Sequence, residues 1–246
     1  MKMIALWSVA ALVVAAAALW LLAPAPLYRD PPRNLPWQLP DYRTAKTHWE
    51  VAADGRIHAS VEHFFLRDIT PAMIAWFYQV LPISTVELDG TTLPLYHIFH
   101  PTEHGRIRVL DAAPGGEPGM ATGATVYREE WFGPHDSRGA ALLREFSDAG
   151  MLAIPTAAGI AIGEVRHSYE ARDGGTYYRV DAIIGADTPL LGRLLNLYLR
   201  QRVFHPAMMA QWQRHQIEEV ASLQFFLPQL YAQRAMGNHF ILHTTP

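Results

Sequence analysis

The sequence predicts an α+β domain in which a curved antiparallel sheet wraps around a long C-terminal helix, with a cavity between them. Several segments have strand-like patterns, and Asp173-Gly174-Gly175 is a strong hairpin signal. A helical pattern follows over Pro206–Gln233 at the end of the chain. Strands joined by hairpins and followed by a long helix indicate an α+β architecture.

The chain begins with an apolar run, Met3–Leu22, whose one polar residue is Ser8. A run of about 20 apolar residues matches a hydrocarbon core of about 30 Å. We therefore expect a transmembrane anchor over residues 1–23 of a single-pass membrane protein, with the body on the outer, periplasmic side. A cleaved signal peptide is the alternative, because Lys2 supplies a positive start. The length of the run and Pro26, just after the one small-residue cleavage site, favour the anchor.

Prolines are concentrated between Pro24 and Pro40. Such a stretch is extended and semi-rigid, so we expect a stalk over residues 24–41. The folded domain then occupies residues 42–246. Half of the 246 residues are hydrophobic and 17% are charged, so this domain can bury a core.

Alternating apolar and polar residues predict most of the elements in the domain. The predicted strands are Ile57–Phe65, Leu93–Phe99, Ile107–Leu110, Ala124–Phe132, Ile160–Tyr169 and Tyr177–Ile184. The predicted helices before the last one are Thr70–Val80, Ala140–Ala149 and Thr188–Arg202. Thr70 suits an N-cap with Pro71 in the first turn, and Pro228 is expected to end or kink the terminal helix.

Charge and cysteine content exclude several classes of function. A formal net charge of -3 gives no general electrostatic case for nucleic-acid binding, so we expect no nucleic-acid partner. The absence of cysteine excludes disulfides, thiolate ligands and cysteine nucleophiles. Any metal must then be held by histidines and carboxylates, and the 12 histidines supply more candidates than are needed.

The terminal helix carries the strongest local signal. His215 and Glu219 lie one turn apart on one helix face, while Arg214 and Glu218 lie on the opposite, polar side. The residues that share the first face are apolar: Met208, Trp212, Leu223 and Phe226. A carboxylate on an apolar face needs a partner, and a His–Glu pair at this spacing can chelate one cation. A buried His–Glu hydrogen bond is an equally weighted alternative.

Two further clusters are candidate sources of ligands. Tyr96–His104 carries three histidines and a glutamate after a predicted strand. Arg128–Gly133 places Glu129 and Glu130 beside aromatic residues, where strand alternation lets only one of them face the cavity. Taken alone, the first cluster is more typical of a strand-end loop, and the second of a solvated acidic pair.

Together these segments resemble the diacetylphloroglucinol/phloretin hydrolase family. His215–Tyr231 is similar to that family's terminal helix, with its His-x-x-Glu-Glu core and Phe-Leu-Pro-x-Leu-Tyr ending. Tyr96–His104 is similar to its Tyr-x-x-Trp-His-Pro-x-Asp-His element, and His167 with Gly174-Gly175 to its histidine and Gly-Gly hairpin. The match runs in the same order over Thr70–Tyr231, so the anchor and the stalk are additions.

The family consists of zinc hydrolases with a helix-grip, Bet v 1/START-like fold that cleave a carbon–carbon bond between an acyl group and a phenolic ring. The resemblance implies that zinc is held by His104, Glu130, His215 and Glu219. It also implies that Tyr96 and His167 line the substrate pocket, with Tyr177 or Tyr178 beside them. Glu103 and Phe99 replace the family's Asp and Trp, which leaves the native substrate open.

The expected function is therefore a zinc-dependent hydrolase of a small aromatic or ketonic substrate, with metal-bound water as nucleophile and a Tyr or His as general acid. Iron or manganese would suit the same ligand atoms. A membrane-tethered binding protein for apolar or aromatic molecules, with the same cavity and no catalysis, is the alternative. The complete ligand set favours the hydrolase. The oligomeric state stays open, with a homodimer among the alternatives.

Overall fold

The computed structural model of the protein describes residues 25–157, 159–188 and 191–243. Its strands, in chain order, are β1 (Lys46–Val51), β2 (Ile57–Glu62), β3 (Leu66–Arg67), β4 (Thr85–Leu88), β5 (Thr91–Pro94), β6 (His104–Asp111), β7 (Thr125–Phe132), β8 (His135–Ser147), β9 (Gly150–Ala157), β10 (Ile160–Ala161), β11 (Gly163–Arg172), β12 (Gly175–Ile184) and β13 (His239–Leu242). Its α-helices are α1 (Pro71–Val80), α2 (Leu95–Phe99), α3 (Leu191–Tyr198) and α4 (Pro206–Ala232). A π-helical turn, Leu199–Val203, extends α3.

The predicted antiparallel sheet is confirmed, and it contains ten strands. Eight of them follow the order β1-β2-β12-β11-β9-β8-β7-β6, and the short strands β3 and β10 pair with β12 and β9. Irregular register between β6 and β7 and between β8 and β9 marks β-bulges, which bend a sheet. A smaller sheet, β13-β4-β5, lies apart from it.

The hairpin between β11 and β12 is confirmed, and its geometry explains the sequence signal. Arg172 pairs with Gly175, which leaves a two-residue turn. Asp173 and Gly174 both have positive φ, 41° and 80°. A two-residue turn of this type needs positive φ at both positions, which Asp and Gly tolerate better than other residues. The turn sets the register that places His167 and Tyr178 near each other on adjacent strands.

The long terminal helix is also confirmed, but Pro228 does not end it. The helix α4 begins after His205, whose side chain accepts a hydrogen bond from the backbone N–H of Met208, and runs to Ala232. Proline removes one backbone donor, and the buried side chains of Leu227 and Leu230 hold the surrounding turn against the core.

Aromatic side chains join the helices beneath the sheet. The ring of Phe77 on α1 lies 5.0 Å from that of Phe99 on α2 and 5.6 Å from that of Phe226 on α4. All three side chains are buried, and burying each contributes about 1.5–3 kcal/mol. This packing fixes α4 against the segment that leads into β6.

Two predicted elements are wrong. The segment Ala140–Ala149, predicted as a helix, belongs largely to β8, because β7 and β9 supply hydrogen-bonding partners on both sides. Within Leu93–Phe99, predicted as a strand, only Leu93 and Pro94 are extended and α2 follows. A one-turn helix buries Leu95, Tyr96, Ile98 and Phe99 together, which a strand with alternating faces could not do.

The predicted membrane location is corrected by the helices. Across residues 25–157, 159–188 and 191–243, no helix combines the length and the apolar character that crossing a bilayer requires. This finding overturns the expectation of a single-pass protein with its body on the periplasmic side. The predicted anchor, residues 1–23, lies outside the described residues.

Candidate metal centre

Three of the four predicted ligands converge in the interior. His104 is the first residue of β6, and His215 and Glu219 lie on the inward face of α4. The Nε2 atom of His104 is 3.2 Å from Nε2 of His215 and 3.1 Å from Oε2 of Glu219. His215 Nε2 lies 3.5 Å from the same carboxylate oxygen. All three side chains are buried.

These separations suit a small cation held by three atoms. Ligand atoms bound to a tetrahedral zinc ion at about 2.0–2.1 Å lie roughly 3.3 Å from one another. The three separations here, 3.1 to 3.5 Å, bracket that value. The residues present therefore fit zinc.

Hydrogen bonds leave both Nε2 atoms available as ligands. His104 Nδ1 lies 2.8 Å from the backbone oxygen of Tyr96, which only accepts, so Nδ1 carries the hydrogen. His215 Nδ1 donates in the same way to Glu103 Oε2 at 2.9 Å. Each ring thus turns the Nε2 lone pair towards the other and towards Glu219, an arrangement that needs a positive charge between them.

In the metal-free chain a proton supplies that charge. Burial lowers the pKa of His215, but the neighbouring carboxylates of Glu219 and Glu103 outweigh burial and raise it to about 10. Burial raises the pKa of Glu219, but contact with His215 and His104 outweighs this and leaves the pKa below its usual value. A metal ion would replace this proton, as is usual when histidines become ligands.

Glu130, the fourth predicted ligand, lies beside His104, but its carboxylate is engaged by other side chains. It pairs with His104 across β6 and β7, and its side chain is buried. Its carboxylate accepts hydrogen bonds from the hydroxyl of Tyr96 and from Arg128. Glu129 points the other way and accepts from the hydroxyl of Tyr127 at 3.0 Å. We call His104, His215 and Glu219 the metal group. Of the two glutamates, Glu130 is the one on its side of β7.

A layer of polar residues holds the ligands, and sequence reasoning missed most of it. Gln216 donates to Glu219 Oε1 at 2.7 Å, which leaves Oε2 for the metal. Glu103 Oε2 accepts a hydrogen bond from His215 Nδ1. Its other oxygen, Oε1, accepts from Arg214 and, at 2.8 Å, from the backbone N–H of Gly133. The position of Glu103, directly before His104, was the available sequence signal.

His100 is not placed to bind the same ion. Its Nδ1 accepts from the backbone N–H of Glu103 at 3.1 Å, and its Nε2 lies 3.2 Å from Glu218 Oε2. Arg214 pairs with both Glu103 and Glu218. The sequence placed Arg214 on the polar side of the helix, but its side chain lies beneath the turn before β6 and is only 17% exposed. This guanidinium supplies the positive charge that the two carboxylates need.

Of the predicted substrate-pocket residues, Tyr178 and His167 form a second hydrogen-bonded group, whereas Tyr96 contacts a candidate ligand directly. The hydroxyl of Tyr178 lies 2.5 Å from His167 Nδ1 and 2.8 Å from the hydroxyl of Tyr78, a residue the sequence did not single out. The ring of Tyr96 stacks on that of His104 with centroids 3.9 Å apart. Tyr177 lies on the other face of β12, half-buried.

Burial sets the protonation of this second group. It raises the pKa of Tyr178 well above its usual value and lowers the pKa of His167 to about 4. At neutral pH the pair is therefore a phenol and a neutral imidazole. The ring of Phe99 lies 5.6 Å from that of His104 and 5.9 Å from that of Tyr78, so one aromatic side chain relates the pair to the candidate ligands. His63 packs 4.6 Å from the ring of Tyr178, and its buried nitrogens have no hydrogen-bond partner among the described residues.

Comparison with known proteins gives no relative close enough to show a family. No protein-family model matches the chain, and no curated protein matches it. Among solved structures, the protein Ms6760 of Mycobacterium smegmatis matches with a TM-score of 0.44 at 11% identity, over 73% of this chain and 96% of that one. Ara h 8.0201 matches with a TM-score of 0.38 at 14% identity, over 72% and 99%. At these values neither likeness carries an argument about chemistry.

Loss of the Glu103 charge is expected to weaken metal binding. In Glu103→Gln the carboxylate that orients His215 is lost, and a second-layer change of this kind costs about 10–100-fold in affinity. The zinc dissociation constant, measured by competition with a chelator, checks this. Glu129→Gln is the matched control, because Glu129 faces away from the ligands. Equal zinc affinity in Glu103→Gln and wild type would mean that Glu103 does not contribute to metal binding.

Proposed function

We propose that the protein is a zinc-dependent hydrolase that cleaves a carbon–carbon bond between an acyl group and a phenolic ring, or in a related ketone, within a helix-grip fold. One observation carries the proposal. The buried group of His104, His215 and Glu219 shares the core with the hydrogen-bonded pair of Tyr178 and His167. Phe99 contacts both sides, 5.6 Å from the ring of His104 and 5.9 Å from the ring of Tyr78, which holds the Tyr178 hydroxyl. The motif resemblance of the segments that supply these residues supports the substrate class.

The zinc ion would be held by His104, His215 and Glu219, with Glu130 as the fourth ligand. When bound, it would supply Lewis acidity and activate a water molecule. Glu130 is buried beside His104. Its carboxylate accepts from Tyr96 and Arg128, and it would have to leave Arg128 to join the other three ligands. Glu103 and Gln216 keep His215 and Glu219 oriented.

The reaction consumes one water molecule. Water adds to the acyl carbonyl, the bond between the acyl carbon and the ring carbon breaks, and its electron pair stays on the ring carbon, which takes up a proton. The products are a carboxylic acid and a ring that bears hydrogen in place of the acyl group. The protein must therefore hold a proton near the ring and keep it ready.

The Tyr178–His167 pair suits that task. The phenol of Tyr178 is protonated at neutral pH, and its hydrogen bond to His167 Nδ1 joins it to a group that can exchange a proton with it. Tyr78 holds the same hydroxyl from the other side. Tyr96, stacked on His104, would contact the substrate next to the metal.

A substrate screen tests the proposal. Zinc-loaded full-length protein is incubated with acylphloroglucinols and dihydrochalcones, and mass spectrometry detects the acid and the deacylated phenol. We expect cleavage that a chelator abolishes and added zinc restores. If the protein binds zinc and retains an aromatic compound but cleaves nothing in the panel, a binding protein without catalysis replaces the hydrolase.

A further inference from the structure

The proline-rich segment, residues 25–40, lies along the body of the protein and is fastened to it along its length. We call this segment the strap. Near its start, the backbone N–H of Leu27 donates to Asp136 Oδ2 at 2.7 Å. In its middle, the backbone N–H of Arg33 donates to the oxygen of Pro101 at 2.9 Å. Towards its end, the ring of Trp37 stacks on Phe225 of α4 with centroids 5.9 Å apart.

One arginine of the strap reaches the backbone of a metal ligand. Arg33 Nη2 donates to the backbone oxygen of His104 at 3.0 Å. The same nitrogen donates to Asp30 Oδ2 at 2.9 Å, which holds the guanidinium in place. The Arg33 side chain is only 11% exposed, so this contact is a packed one.

The other arginine reaches the second histidine through two intermediates. Arg29 donates to the backbone oxygens of Gly133 and Pro134 at 2.8 and 2.9 Å. The backbone N–H of Gly133 donates to Glu103 at 2.8 Å, and Glu103 accepts from His215 Nδ1 at 2.9 Å. Arg29 is therefore connected, through the backbone of Gly133, to Glu103, the carboxylate that orients His215.

His104 lies at a place where the sheet supplies few contacts to its backbone. His104 begins β6, the last strand in the order of the large sheet, so among the described residues β7 is the one strand that pairs with it. The register between β6 and β7 is irregular between His104 and Ile107. An end residue of an edge strand is held by few backbone hydrogen bonds, and natural proteins often cover such edges with another segment.

The proline content of the strap suits this role. Proline restricts the backbone of the unfolded chain, so less conformational entropy is lost when the segment takes up a fixed position. A stalk that only spaced the domain would not need arginines whose contacts converge on the residues around two histidines.

We propose that the strap is a positioning element of the metal centre, with Arg33 acting on His104 and Arg29 acting on His215 through Gly133 and Glu103. The inference rests on the proposed metal site but concerns a segment outside the motif resemblance. Arg29 and Arg33 touch neither metal nor substrate, so they are positioning residues.

The test compares metal binding by full-length variants. Arg33→Met and Arg29→Met each keep an apolar stem and remove the donors. We expect zinc and cobalt to bind about tenfold more weakly to each variant and about a hundredfold more weakly to the double variant, the scale of outer-layer changes at metal sites. We also expect the visible absorption bands of bound cobalt to shift, since these bands report ligand geometry. Arg43→Met, which removes an exposed arginine just beyond the strap, should match wild type.

Several outcomes would overturn the proposal. If both variants melt at lower temperature but keep the wild-type zinc affinity and cobalt spectrum, the strap is only a structural brace. Should Arg33→Met fail to fold, Arg33→Lys serves instead, because lysine can still donate to the oxygen of His104; a spectrum closer to wild type than that of Arg29→Met is then expected. Normal metal binding and cleavage by all variants would exclude a positioning role for the strap and leave the proposed function intact. A wild type that binds neither metal would remove both.

Discussion

Glu219→Gln is expected to abolish stoichiometric zinc binding, whereas Glu218→Gln is expected to retain it. Glu219 Oε2 lies within 3.5 Å of both histidine Nε2 atoms, so the substitution removes one ligand and the negative charge that offsets the metal. Glu218 immediately precedes Glu219 on the same helix, but its carboxylate contacts His100 and Arg214. Zinc content of the purified variants, determined by mass spectrometry, measures the difference.

His215→Ala should behave like Glu219→Gln, because it removes the central ligand. The pair of glutamine variants is the sharper comparison, since each changes one carboxylate to an amide of the same shape. Equal zinc loss in both would mean that the metal does not lie on the inward face of α4. Retention of one zinc in Glu219→Gln would place it elsewhere.

Tyr178→Phe is expected to lower turnover about a hundredfold or more, the usual scale for losing one positioned acid–base group. The substitution keeps the ring and removes the hydroxyl that contacts His167 and Tyr78. Zinc content should not change, because the hydrogen bonds of Tyr178 in the described part of the chain go to Tyr78 and His167, which are not proposed ligands. Turnover is measured on whichever compound the screen shows to be cleaved.

Tyr177→Phe is the matched control, because Tyr177 is adjacent in sequence and lies on the other face of β12. It should cleave at the wild-type rate. Tyr96→Phe is less specific, since the hydroxyl of Tyr96 binds Glu130 and its loss would disturb a proposed ligand as well. Full activity of Tyr178→Phe, with wild-type zinc content, would exclude Tyr178 as an acid–base group and leave the metal centre in place.

Local sequence signals predicted the parts of the fold that depend on local chemistry. The Asp173-Gly174 turn needs positive φ, and the sequence offers residues that tolerate it. The apolar stripe on α4 predicted correctly that His215 and Glu219 face inward. The same spacing predicted their proximity, because i and i+4 residues meet on any helix.

Features that depend on distant partners were not predictable in this way. Ala140–Ala149 is a strand because β7 and β9 flank it, and nothing within the segment records those neighbours. The strap was expected to be a stalk, since proline content predicts stiffness but not the surface it lies on. Arg29 and Arg33 reach residues that lie 104 and 71 positions away along the chain.

The residues that surround the candidate ligands also depend on distant partners. Glu103 accepts from His215, 112 positions along the chain, and that pairing exists only once α4 packs against the turn before β6. Tyr78 reaches Tyr178 across 100 positions for a similar reason. The sequence contained a complete set of candidate ligands, but their surroundings are set by packing.

The most direct test is a crystal structure of the zinc-loaded protein with diffraction data collected on both sides of the zinc absorption edge. We predict one buried anomalous peak at about 2.0–2.2 Å from His104 Nε2, His215 Nε2 and a carboxylate oxygen of Glu219, with Glu130 turned from Arg128 towards it. The absence of a buried peak, or a peak held by His100 and Glu103 in place of His104 and Glu219, would contradict the proposed centre.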